Sequence, residues 1–475
     1  MDESFFGCQG VVMNTLKESG VELPDADLWR KFDVPAPRYT SYPTADRFRP
    51  EVGRAEYEKA LATRPVNRGL SVYTHIPFCA NVCFYCGCNK VVTRNRSLAD
   101  PYIETVLAEA KLAAEHLTGK KTISQLHWGG GTPTFLDAEQ IERLLSGIRA
   151  VFPFEPDGEY SIEIDARTCP PEKIDLLHRL GFNRMSLGVQ DFNLKVLEAV
   201  NRVQSFELIR DTLSYAREVG FHSVNMDLIY GLPRQTRASF SETIEKVIEL
   251  SPDRIALYHY AHLPNIFKPQ RRIVPEELPS ATERVNMMFD SIRTLTAGGY
   301  RYIGMDHFAK ETDELSVAQK EGTIQRNFQG YSTRAECDMI ALGASSISFV
   351  GNTYACNPRE IEPYSQAVRS GHLATCRGFV LSPEDLLRRT VIMTIMCRFE
   401  IDKRAIEKQF GIDFDQTFAY ELKKLQAYAK HNLVELTADK ITVSAKGKIF
   451  VRAVAMQFDR YLRESDRAGG YSKIA

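Results

Sequence analysis

The chain contains 475 residues, of which 44% are hydrophobic and 25% charged, and its formal net charge is −1. This length suffices for one large domain with accessory segments, and the balanced charge excludes a protein built around a basic surface for nucleic acid or an acidic membrane. No apolar run reaches the length of a membrane span and the N-terminus lacks a signal-peptide pattern, so a cytoplasmic location is expected. A monomer is expected as well. The ten cysteines are too sparse for a secreted disulfide framework. Six of them are scattered and are expected to be reduced thiols: Cys8, Cys169, Cys337, Cys356, Cys376 and Cys397.

The N-terminal region has the character of an arm rather than of a separate domain. Residues 11–20 have a weak helical pattern, and residues 37–44 read PRYTSYPT, a motif rich in aromatic and hydroxyl side chains and braced by prolines. Two interpretations of this motif remain open. It is either an extended segment packed on the main domain, or a cap over an active site in which Arg38 meets a carboxylate of the substrate.

The stretch most informative about chemistry covers residues 71–90, SVYTHIPFCANVCFYCGCNK. It begins with a strand pattern over 71–76, and the loop that follows carries Cys79, Cys83 and Cys86 in the spacing C-x3-C-x2-C. Three thiolates on one short loop can bind three irons of a cubane cluster, which leaves the fourth iron open to a small chelating ligand.

Two alternatives to this interpretation depend on the same loop. If Cys88 bound the fourth iron, the cluster would be closed and suited to electron transfer alone. The single residue between Cys86 and Cys88 leaves little slack for that, so Cys88 is expected not to be a ligand. A zinc site or a group of buried thiols is the other alternative. Zinc sites usually combine two CxxC-like units, and the sequence has no second unit, which favours the iron–sulfur cluster.

From Ser71 to about Ala261 the sequence alternates between strand and helix patterns. The predicted strands are 71–76, 123–128, 159–164, 183–189, 223–229 and 254–260, and the predicted helices are 101–117, 138–151, 171–180, 192–199, 205–219 and 239–250. Apolar strands that alternate with helices form parallel sheets through right-handed crossovers. The sequence therefore predicts an α/β fold, a partial (β/α)6 TIM-like barrel, with its chemistry at the carboxyl ends of the strands.

Polar and glycine-rich segments follow several predicted strands at that end. After the second strand, residues 127–134 read HWGGGTPT, and the glycines let backbone N–H and C=O groups approach the carboxylate and amine of a ligand. Acidic or amide side chains stand at the ends of later strands: Glu163, Asp165, Gln190, Asp191 and Asp227. A lone acid at such a place is often a helix N-cap, but its recurrence at several strand ends favours a ligand site.

Residues 262–375 leave the barrel pattern, with one helix predicted over 282–295. Three further segments combine glycine with aromatic or small apolar residues: 302–308, 326–333 and 340–347. Within the first, Asp306 and His307 are interpreted equally well as a structural hydrogen-bonded pair or as substrate contacts.

Beyond about Leu381 the sequence again favours helices. They are predicted over 383–396, 403–410, 417–431 and 445–461, with a hairpin of 433–436 and 441–443 before the last one. This order is typical of a winged-helix arrangement, and because no basic stripe is present, a lid or docking unit is expected rather than a DNA reader. The predicted domains are an N-terminal arm capping the active site (1–53), a catalytic domain (54–375) and a C-terminal helical domain (376–475).

These motifs carry a resemblance to a known family. The C-x3-C-x2-C loop after a strand resembles the signature of radical S-adenosylmethionine (SAM) enzymes, and HIPFC followed by CFYCGCNK resembles one branch, the oxygen-independent coproporphyrinogen III oxidases of haem biosynthesis. The similarity runs from about Arg38 to near the C-terminus. It implies one [4Fe–4S] cluster on Cys79, Cys83 and Cys86, and a GGG segment that holds the amino group of SAM.

The resemblance also implies contacts around two SAM molecules. Those expected to line the first are Tyr73, Gly130, Glu163 and Ile347, and those expected to line the second are Tyr85, Gly131, Thr132, Gln190, Arg202, Asp227 and Ala261. Phe328 and Gln329 are expected on the adenosyl side, and Tyr73 is grouped with the three cysteines as catalytic. Arg202 is either a bidentate partner of the second SAM carboxylate or a surface arginine.

By the same resemblance, the expected reaction is the oxidative decarboxylation of two propionates of coproporphyrinogen III to vinyl groups, giving protoporphyrinogen IX. A 5′-deoxyadenosyl radical abstracts a hydrogen, carbon dioxide leaves, and an external acceptor of unknown identity takes an electron. A carrier such as flavodoxin or ferredoxin is expected to supply electrons. Candidates for binding the carboxylates of this tetrapyrrole are Arg38, Arg47 and Arg184.

Two rival functions remain open: a radical SAM methyltransferase that opens haem, and a haem chaperone that binds haem without turnover. The haem-carrier branch typically has phenylalanine at the place of Cys88 and lacks the RYTSYPT motif, whereas this chain has both the cysteine and the motif. Both features favour the oxidase.

Overall fold

The computed structural model of the chain describes residues 20–464 and 471–474. The helical pattern predicted over 11–20 lies, apart from Gly20, outside the described residues, as does Cys8. The strands in chain order are β1 (Leu70–Ile76), β2 (Phe78–Cys79), β3 (Val91–Val92), β4 (Ile123–Gly130), β5 (Phe154–Ile164), β6 (Arg184–Gln190), β7 (Ser223–Tyr230), β8 (Arg254–His259), β9 (Tyr300–Gly304), β10 (His307–Lys310), β11 (Gln325–Asn327), β12 (Gly330–Ser332), β13 (Asp338–Leu342), β14 (Ile347–Val350), β15 (Thr353–Cys356), β16 (Arg377–Val380), β17 (Glu400–Asp402), β18 (Val434–Leu436) and β19 (Lys440–Val443). The α-helices are α1 (Ala26–Phe32), α2 (Arg54–Thr63), α3 (Ala99–His116), α4 (Ala138–Val151), α5 (Pro171–Arg179), α6 (Leu194–Ala199), α7 (Phe206–Val219), α8 (Arg237–Leu250), α9 (Ala281–Ala297), α10 (Glu314–Glu321), α11 (Ile361–Arg369), α12 (Pro383–Arg398), α13 (Lys403–Phe410), α14 (Phe414–Thr417), α15 (Ala419–Ala429), α16 (Val451–Ala455) and α17 (Arg460–Arg463).

Twelve of these strands form one open sheet. Its parallel centre runs in the order β13-β1-β4-β5-β6-β7-β8, so six consecutive β-α units lie side by side in chain order. Antiparallel strands β14, β15 and β16 extend the sheet beyond β13, while β10 and β9 extend it beyond β8. Among the described strands β9 and β16 remain as two edges, so the predicted partial barrel is confirmed as an open arc.

The predicted elements of the six β-α units agree closely with the structure. The helix predicted over 138–151 occupies exactly that span as α4, because a capping box defines its start. The Asp137 carboxylate accepts the Gln140 N–H at 2.9 Å, and the Gln140 side chain accepts the Asp137 N–H at 3.1 Å. The main difference lies outside these units, where residues 338–342 form β13 parallel to β1. The sequence pattern does not separate this strand from the neighbouring loops.

The helices cover the sheet and bury its apolar side chains. Along β1 and β4, Val72, Ile76, Leu126 and Trp128 are fully enclosed. On β7 the buried Val224, Met226 and Leu228 alternate with Ser223, Asn225 and Asp227, which line a cavity, so the apolar side chains lie on one face of the strand. Burial of each such side chain contributes about 1.5–3 kcal/mol to folding. Within the described residues, no helix combines the length and apolar character that a membrane span requires.

The C-terminal part combines helices with a small antiparallel sheet in the order β17-β19-β18. The helix predicted over 445–461 is divided into short pieces, since 3-10 turns at Gly447–Phe450 and Met456–Phe458 flank α16. Arg452 on α16 donates to Pro37 O at 3.2 Å and to Ser472 O at 2.9 Å. One guanidinium thus fastens both the N-terminal arm and the C-terminal tail. The division of the chain into three domains stays a prediction.

One buried carboxyl group makes the stability of the fold depend on pH. Glu109 on α3 accepts hydrogen bonds from the Gly343 N–H at 2.8 Å, from Asn357 Nδ2 at 2.6 Å and from Tyr364 Oη at 2.7 Å. Burial nevertheless raises the pKa of Glu109 from 4.5 to about 7. The folded chain therefore holds a proton that the unfolded chain releases between these values, and its stability falls as the pH rises through this window.

We expect Glu109→Gln to remove this pH dependence. The wild-type melting temperature should decline relative to that of the variant between about pH 4.5 and pH 7, by an amount corresponding to at most about 3 kcal/mol. Glu115→Gln, an exposed position on the same helix, is the control and should follow the wild type. Thermal unfolding at several pH values measures the difference. Parallel curves for wild type and Glu109→Gln would contradict the expectation.

Candidate active site

The cysteine loop, residues 79–90, lies at the carboxyl end of β1 and is closed at its base. Strands β2 and β3 pair in parallel, with Phe78 opposite Val91 and Cys79 opposite Val92. The Thr93 N–H also donates to Cys79 O at 2.9 Å. Because the two ends of the loop are tied together, the cysteines between them are confined to a short, closed segment.

Each of the three predicted cluster cysteines has one hydrogen-bonding group beside its sulfur. The pairs are Cys79 Sγ with Thr132 Oγ1 at 3.4 Å, Cys83 Sγ with Arg202 Nη1 at 3.5 Å, and Cys86 Sγ with the Cys88 N–H at 3.4 Å. Burial raises the pKa of Cys79 to about 11, whereas hydrogen bonding with Cys88 lowers the pKa of Cys86 to about 6. Hydrogen bonds to the sulfurs are a known means by which proteins tune bound clusters.

Three thiols on one short loop fit a cubane cluster. In a cubane each thiolate binds a different iron, so three cysteines leave the fourth iron open. The three cysteines are free thiols, and Cys88 is the most exposed cysteine of the loop.

The GGG segment, residues 129–131, and Thr132 are joined through the backbone to residues 76–78, which lead directly into the cysteine loop. The Gly131 N–H donates to Ile76 O at 2.8 Å, and the Thr132 N–H donates to Phe78 O at 2.9 Å. A Cβ atom on Gly131 would stand 2.8 Å from Phe78 O, which is closer than a side chain permits. Gly130 has a φ of +115°, a conformation that favours glycine. The glycines are therefore required to bring the two segments together.

A row of polar side chains crosses the ends of β1, β4 and β5. The Tyr73 ring stacks on His127 with centroids 5.9 Å apart, and His127 Nε2 lies 3.5 Å from Glu163 Oε1. The other Glu163 oxygen accepts the Gly130 N–H at 3.1 Å. Burial opposes the ionisation of Glu163, but His127 and the Gly130 N–H lower its pKa. The row thus presents an anionic acceptor directly beside the GGG segment.

A second carboxyl group follows on β7. Asp227 accepts hydrogen bonds from Ser186 Oγ and from Asn225 Nδ2, each at 2.9 Å. Burial and the negative charge of Glu163 raise the pKa of Asp227 to about 6. The two carboxyl groups therefore differ in how readily they ionise. A cation bound between them would favour the ionised form of both.

Arg202 is buried and is not a surface arginine. Its Nε and Nη2 donate to Gly188 O at 3.0 and 2.6 Å, and its Nη1 pairs with Asp165 Oδ2 at 3.2 Å. Since the same Nη1 lies 3.5 Å from Cys83 Sγ, Arg202 connects the end of β6 to the cysteine loop. A positive charge in this position compensates the negative charge of bound thiolates.

The other residues predicted around a second SAM lie close to this arginine or to the loop. Gln190 ends β6 with a φ of +69° and is buried. Tyr85 and Ala261 share one partner, because Gln270 Nε2 donates to Tyr85 O at 2.9 Å and to Ala261 O at 3.1 Å. The segment after β8 is therefore fastened to the cysteine loop.

The two residues predicted on the adenosyl side have different surroundings. Phe328 packs in one apolar cluster with Tyr354, with Phe48 of the N-terminal arm and with Ile347, which was predicted to line the first SAM. Gln329 instead lines a cavity of about 150 Å³ inside the arc of the sheet. The wall of this cavity also includes His127, Glu163, Asp227, Tyr258 and His307. Tyr258 and a role for His127 were not predicted, because nothing local in the sequence marks them.

The PRYTSYPT motif contributes Arg38 to the same region. Arg38 forms an ion pair with Asp306 and keeps 34% of its side chain exposed. Its guanidinium lies 6.0 Å from the centre of the Tyr258 ring, and Arg326 Nε donates to Arg38 O at 3.3 Å. Burial and the charge of Arg326 lower the pKa of Arg38. His307 Nδ1 is buried without a hydrogen-bond partner among the described residues. The region around Arg38 thus combines two guanidinium groups with a buried imidazole nitrogen that has no partner among the described residues.

The other two arginines named as carboxylate candidates have different surroundings. Arg47 Nη2 donates to Tyr461 O at 3.2 Å. Arg184 lines the same cavity, but it does so from the start of β6, at the end of the strand opposite to the cysteine loop, and it pairs with Glu314 at 2.6 Å. Arg38 instead approaches the cavity through its contact with the Tyr258 ring.

Two of the acids at strand ends have structural roles. Asp165 caps the 3-10 helix Ala166–Thr168 and accepts the Arg167 N–H at 3.1 Å. Asp191 accepts hydrogen bonds from Thr243 Oγ1 and Gln235 Nε2, both at 2.6 Å. Helix capping and internal hydrogen bonding therefore account for these two, whereas Glu163 and Asp227 face the cavity.

Comparison with known proteins places this geometry in a family. The model of the radical SAM superfamily matches residues 73–247, and that of the HemN C-terminal domain matches residues 381–450. The oxygen-independent coproporphyrinogen III oxidase of Pseudomonas aeruginosa is 46% identical over 446 residues, covering 93% of this chain and 97% of the relative. That of Escherichia coli is 46% identical over 450 residues, covering 95% and 98%.

A solved structure gives the same result. The structure described as "Coproporphyrinogen III oxidase (HemN) from Escherichia coli is a Radical SAM enzyme" superposes with a TM-score of 0.89 at 44% identity, covering 93% of this chain and 100% of that one. The likeness thus extends over almost the whole chain. The chain belongs to the family of oxygen-independent coproporphyrinogen III oxidases, a branch of the radical SAM superfamily.

Proposed function

We propose that this chain catalyses the oxidative decarboxylation of two propionate side chains of coproporphyrinogen III to vinyl groups, giving protoporphyrinogen IX without oxygen. The observation that carries the proposal is the 46% identity to coproporphyrinogen III oxidases over 95% of the chain. For each propionate, one hydrogen atom leaves the β-carbon, the carboxylate leaves as carbon dioxide, and one electron passes to an external acceptor.

Membership of the radical SAM superfamily implies one [4Fe–4S] cluster and SAM. When bound, they supply a 5′-deoxyadenosyl radical that abstracts the hydrogen. Cys79, Cys83 and Cys86 are the residues that would hold the cluster, with Thr132, Arg202 and the Cys88 N–H as hydrogen-bonding groups beside their sulfurs. The GGG segment would offer backbone groups to the amino acid part of SAM, and Tyr73 and Glu163 would lie beside it.

Two SAM molecules are part of the proposal. Glu163 lies next to the end of β5, whereas Asp227, which was expected near a strand end, lies in the middle of β7. Both line the cavity, so they offer two carboxyl acceptors for ribose hydroxyls. Tyr85, Gln190 and Ala261 group on the side of β6 and β8, next to Arg202, and Phe328 and Ile347 group beyond β13. This division into two groups supports two positions for SAM.

The carboxylates of the tetrapyrrole need cationic partners near the cavity. Arg38 and Arg326 are adjacent, since Arg326 Nε lies 3.3 Å from Arg38 O, and Arg326 Nη1 is buried without a hydrogen-bond partner in the described part of the chain. A substrate propionate can satisfy this group and share Arg38 with Asp306. A guanidinium binds a carboxylate in a defined orientation, which would position the neighbouring propionate for reaction.

We expect Arg38→Leu to weaken substrate binding. Loss of one charged hydrogen-bonding partner costs about 1.5–3 kcal/mol, so KM for coproporphyrinogen III should rise about 10- to 100-fold. Arg38→Lys keeps the charge and should recover part of the loss. Arg30→Leu changes an exposed arginine of the arm and is the control. Steady-state kinetics under anaerobic conditions measures the effect, and an unchanged KM in Arg38→Leu would exclude Arg38 as a carboxylate partner.

The function itself is tested by anaerobic turnover. The reconstituted protein is incubated with SAM, a reductant, an electron acceptor and coproporphyrinogen III, and the products are followed by mass spectrometry. A product lighter by carbon dioxide and two hydrogens for each of two propionates, with 5′-deoxyadenosine formed in step, establishes the oxidase. Deoxyadenosine without a vinyl product would indicate another radical reaction. Tight haem binding without SAM consumption would favour a haem carrier.

A further inference from the structure

A segment with three exposed cations lies directly against the cysteine loop. Residues 261–274 read AHLPNIFKPQRRIV and contain Lys268, Arg271 and Arg272 but neither aspartate nor glutamate. All three cations are exposed, and none forms an ion pair with a described residue. Two glutamates follow directly, the exposed Glu276 and Glu277, which pairs with Arg234 at 2.9 Å, so the positive charge is confined to residues 268–272.

The segment is in direct contact with the residues between the cysteines. The Arg272 guanidinium lies 5.2 Å from the centre of the Phe84 ring, and Phe84 follows Cys83 in the chain. Gln270 Nε2 donates to Tyr85 O at 2.9 Å, and a Cβ atom on Gly87 would stand 2.9 Å from the Phe267 ring. A molecule seated on this segment would therefore be separated from Cys83 by little more than one side chain.

Apolar side chains are exposed among these cations. Ile266 is 65% exposed, Val274 47% and Leu263 43%. Exposed large apolar side chains grouped with charges are typical of protein contact sites, whereas single ones are ordinary. We call the surface formed by residues 263–274 the basic apron.

We propose that the basic apron is the docking surface for a small acidic protein that carries single electrons to the cluster. Positive charge around a few apolar residues complements a carrier whose own redox group is ringed by acids, and such complementarity speeds encounter by about 10- to 10³-fold. Electron-transfer encounters are also small, burying less than about 1,200 Å² in total, which suits a patch of this extent.

The inference rests on the proposed function, because it requires a cluster on Cys79, Cys83 and Cys86. In the step, the reduced carrier would be oxidised by one electron, which a cluster held by Cys79, Cys83 and Cys86 would accept. The carrier then dissociates, which a contact dominated by charge steering and a small apolar area permits. No proton or covalent bond is exchanged between the two proteins.

The test compares binding and electron delivery in charge-reversal variants. Lys268→Glu/Arg271→Glu/Arg272→Glu reverses all three cations, and Lys268→Glu/Arg271→Glu leaves the contact of Arg272 with Phe84 intact. Lys408→Glu/Lys423→Glu/Lys430→Glu reverses three exposed, unpaired lysines of the C-terminal part and is the matched control. The probe is a flavodoxin, whose flavin reports binding in the oxidised form and cluster reduction in the reduced form.

At low ionic strength, the Kd for oxidised flavodoxin should be at least tenfold higher in both apron variants than in the wild type. Cluster reduction by reduced flavodoxin should be slower by the same factor. Added salt should abolish the difference between the variants and the wild type. Reduction by dithionite should be unchanged, which shows that the cysteine loop is intact. The proposal would be overturned if wild type and apron variants bound flavodoxin equally well, or if the control variant lost as much affinity as the apron variants. It would also be overturned if the apron substitutions changed self-association of the chain but not flavodoxin binding. Because neither readout uses a tetrapyrrole, failure of the proposed function is detected separately.

Discussion

Replacement of Cys79 by alanine is expected to abolish turnover and to lower the iron content of the reconstituted protein. Cys79 ends β2 and contributes one of the three sulfurs of the cysteine loop. Two thiolates on a flexible loop cannot hold a cubane firmly, and without the cluster the source of the radical is lost, so the rate should fall by about three orders of magnitude or more. Iron analysis, the absorbance of the cluster and product formation measure the result.

The fold should survive this change. The backbone of Cys79, not its side chain, ties the two ends of the cysteine loop together. The Thr93 N–H donates to Cys79 O at 2.9 Å, and Cys79 pairs with Val92 between β2 and β3. Alanine keeps these bonds, so the melting temperature of the apoprotein should change little. Full turnover by Cys79→Ala would refute the assignment of this cysteine as a ligand.

Cys88→Ala is the matched comparison on the same loop. Its backbone N–H, which faces Cys86 Sγ at 3.4 Å, is unaffected by the substitution. If Cys88 is not a ligand, the variant should assemble a cluster with wild-type iron content and should still turn over. Loss of iron equal to that of Cys79→Ala would instead indicate a closed cluster with four protein ligands.

The part of the fold that the sequence predicts well is the part with local, repeated signals. Each β-α unit has its own apolar run, its own helix pattern and often a cap such as Asp137, so boundaries agree within a few residues. Strand β13 is different, because its identity as a strand depends on pairing with β1, more than 260 residues earlier in the chain. Long-range pairing of this kind leaves only a short apolar run in the sequence.

The candidate site likewise combines features that local motifs predict with features that depend on tertiary contacts. The cysteine spacing and the GGG segment are local motifs, and the structure brings them together through the bonds from Gly131 and Thr132 to residues 76–78, which lead directly into the cysteine loop. The ion pair between Arg38 and Asp306 joins residues 268 positions apart, and neither residue has a local feature that reveals the other. Burial of Arg202 is similarly a product of tertiary packing, which the sequence left open.

The charge states of the acidic residues in the site are the property that the sequence predicts least. Glu163 and Asp227 look alike in the sequence as acids near predicted strand ends, yet their pKa values are shifted in opposite directions. The cause is the neighbour of each: Glu163 accepts the Gly130 N–H and faces His127, whereas Asp227 is buried within the field of Glu163. Such differences arise only when the strands are placed side by side.

Gly131→Ala is expected to impair both the cysteine loop and SAM binding. The new Cβ atom would meet Pro77 C and Phe78 O at 2.8 Å, and these are backbone atoms that cannot rotate away. The GGG segment and the start of the cysteine loop must then separate, which lengthens the bond from the Gly131 N–H to Ile76 O. We expect a loss of about 1–3 kcal/mol in stability and at least about a 100-fold loss of turnover, since a displacement of about 1 Å at reacting groups is costly.

The comparison that isolates this steric cause is Gly53→Ala. A Cβ atom there has one neighbour, Pro50 O at 3.9 Å, so the variant should keep the iron content and SAM binding of the wild type. Because Gly53 is the N-cap of α2, a small loss of stability is expected in this control. Thermal unfolding, iron content and SAM binding by equilibrium dialysis together identify where Gly131→Ala acts. Normal iron content with weakened SAM binding would place the effect on the GGG segment alone. Loss of both would show that the two segments act as one unit, as their shared hydrogen bonds predict, and wild-type behaviour in all three assays would contradict the close approach at Gly131.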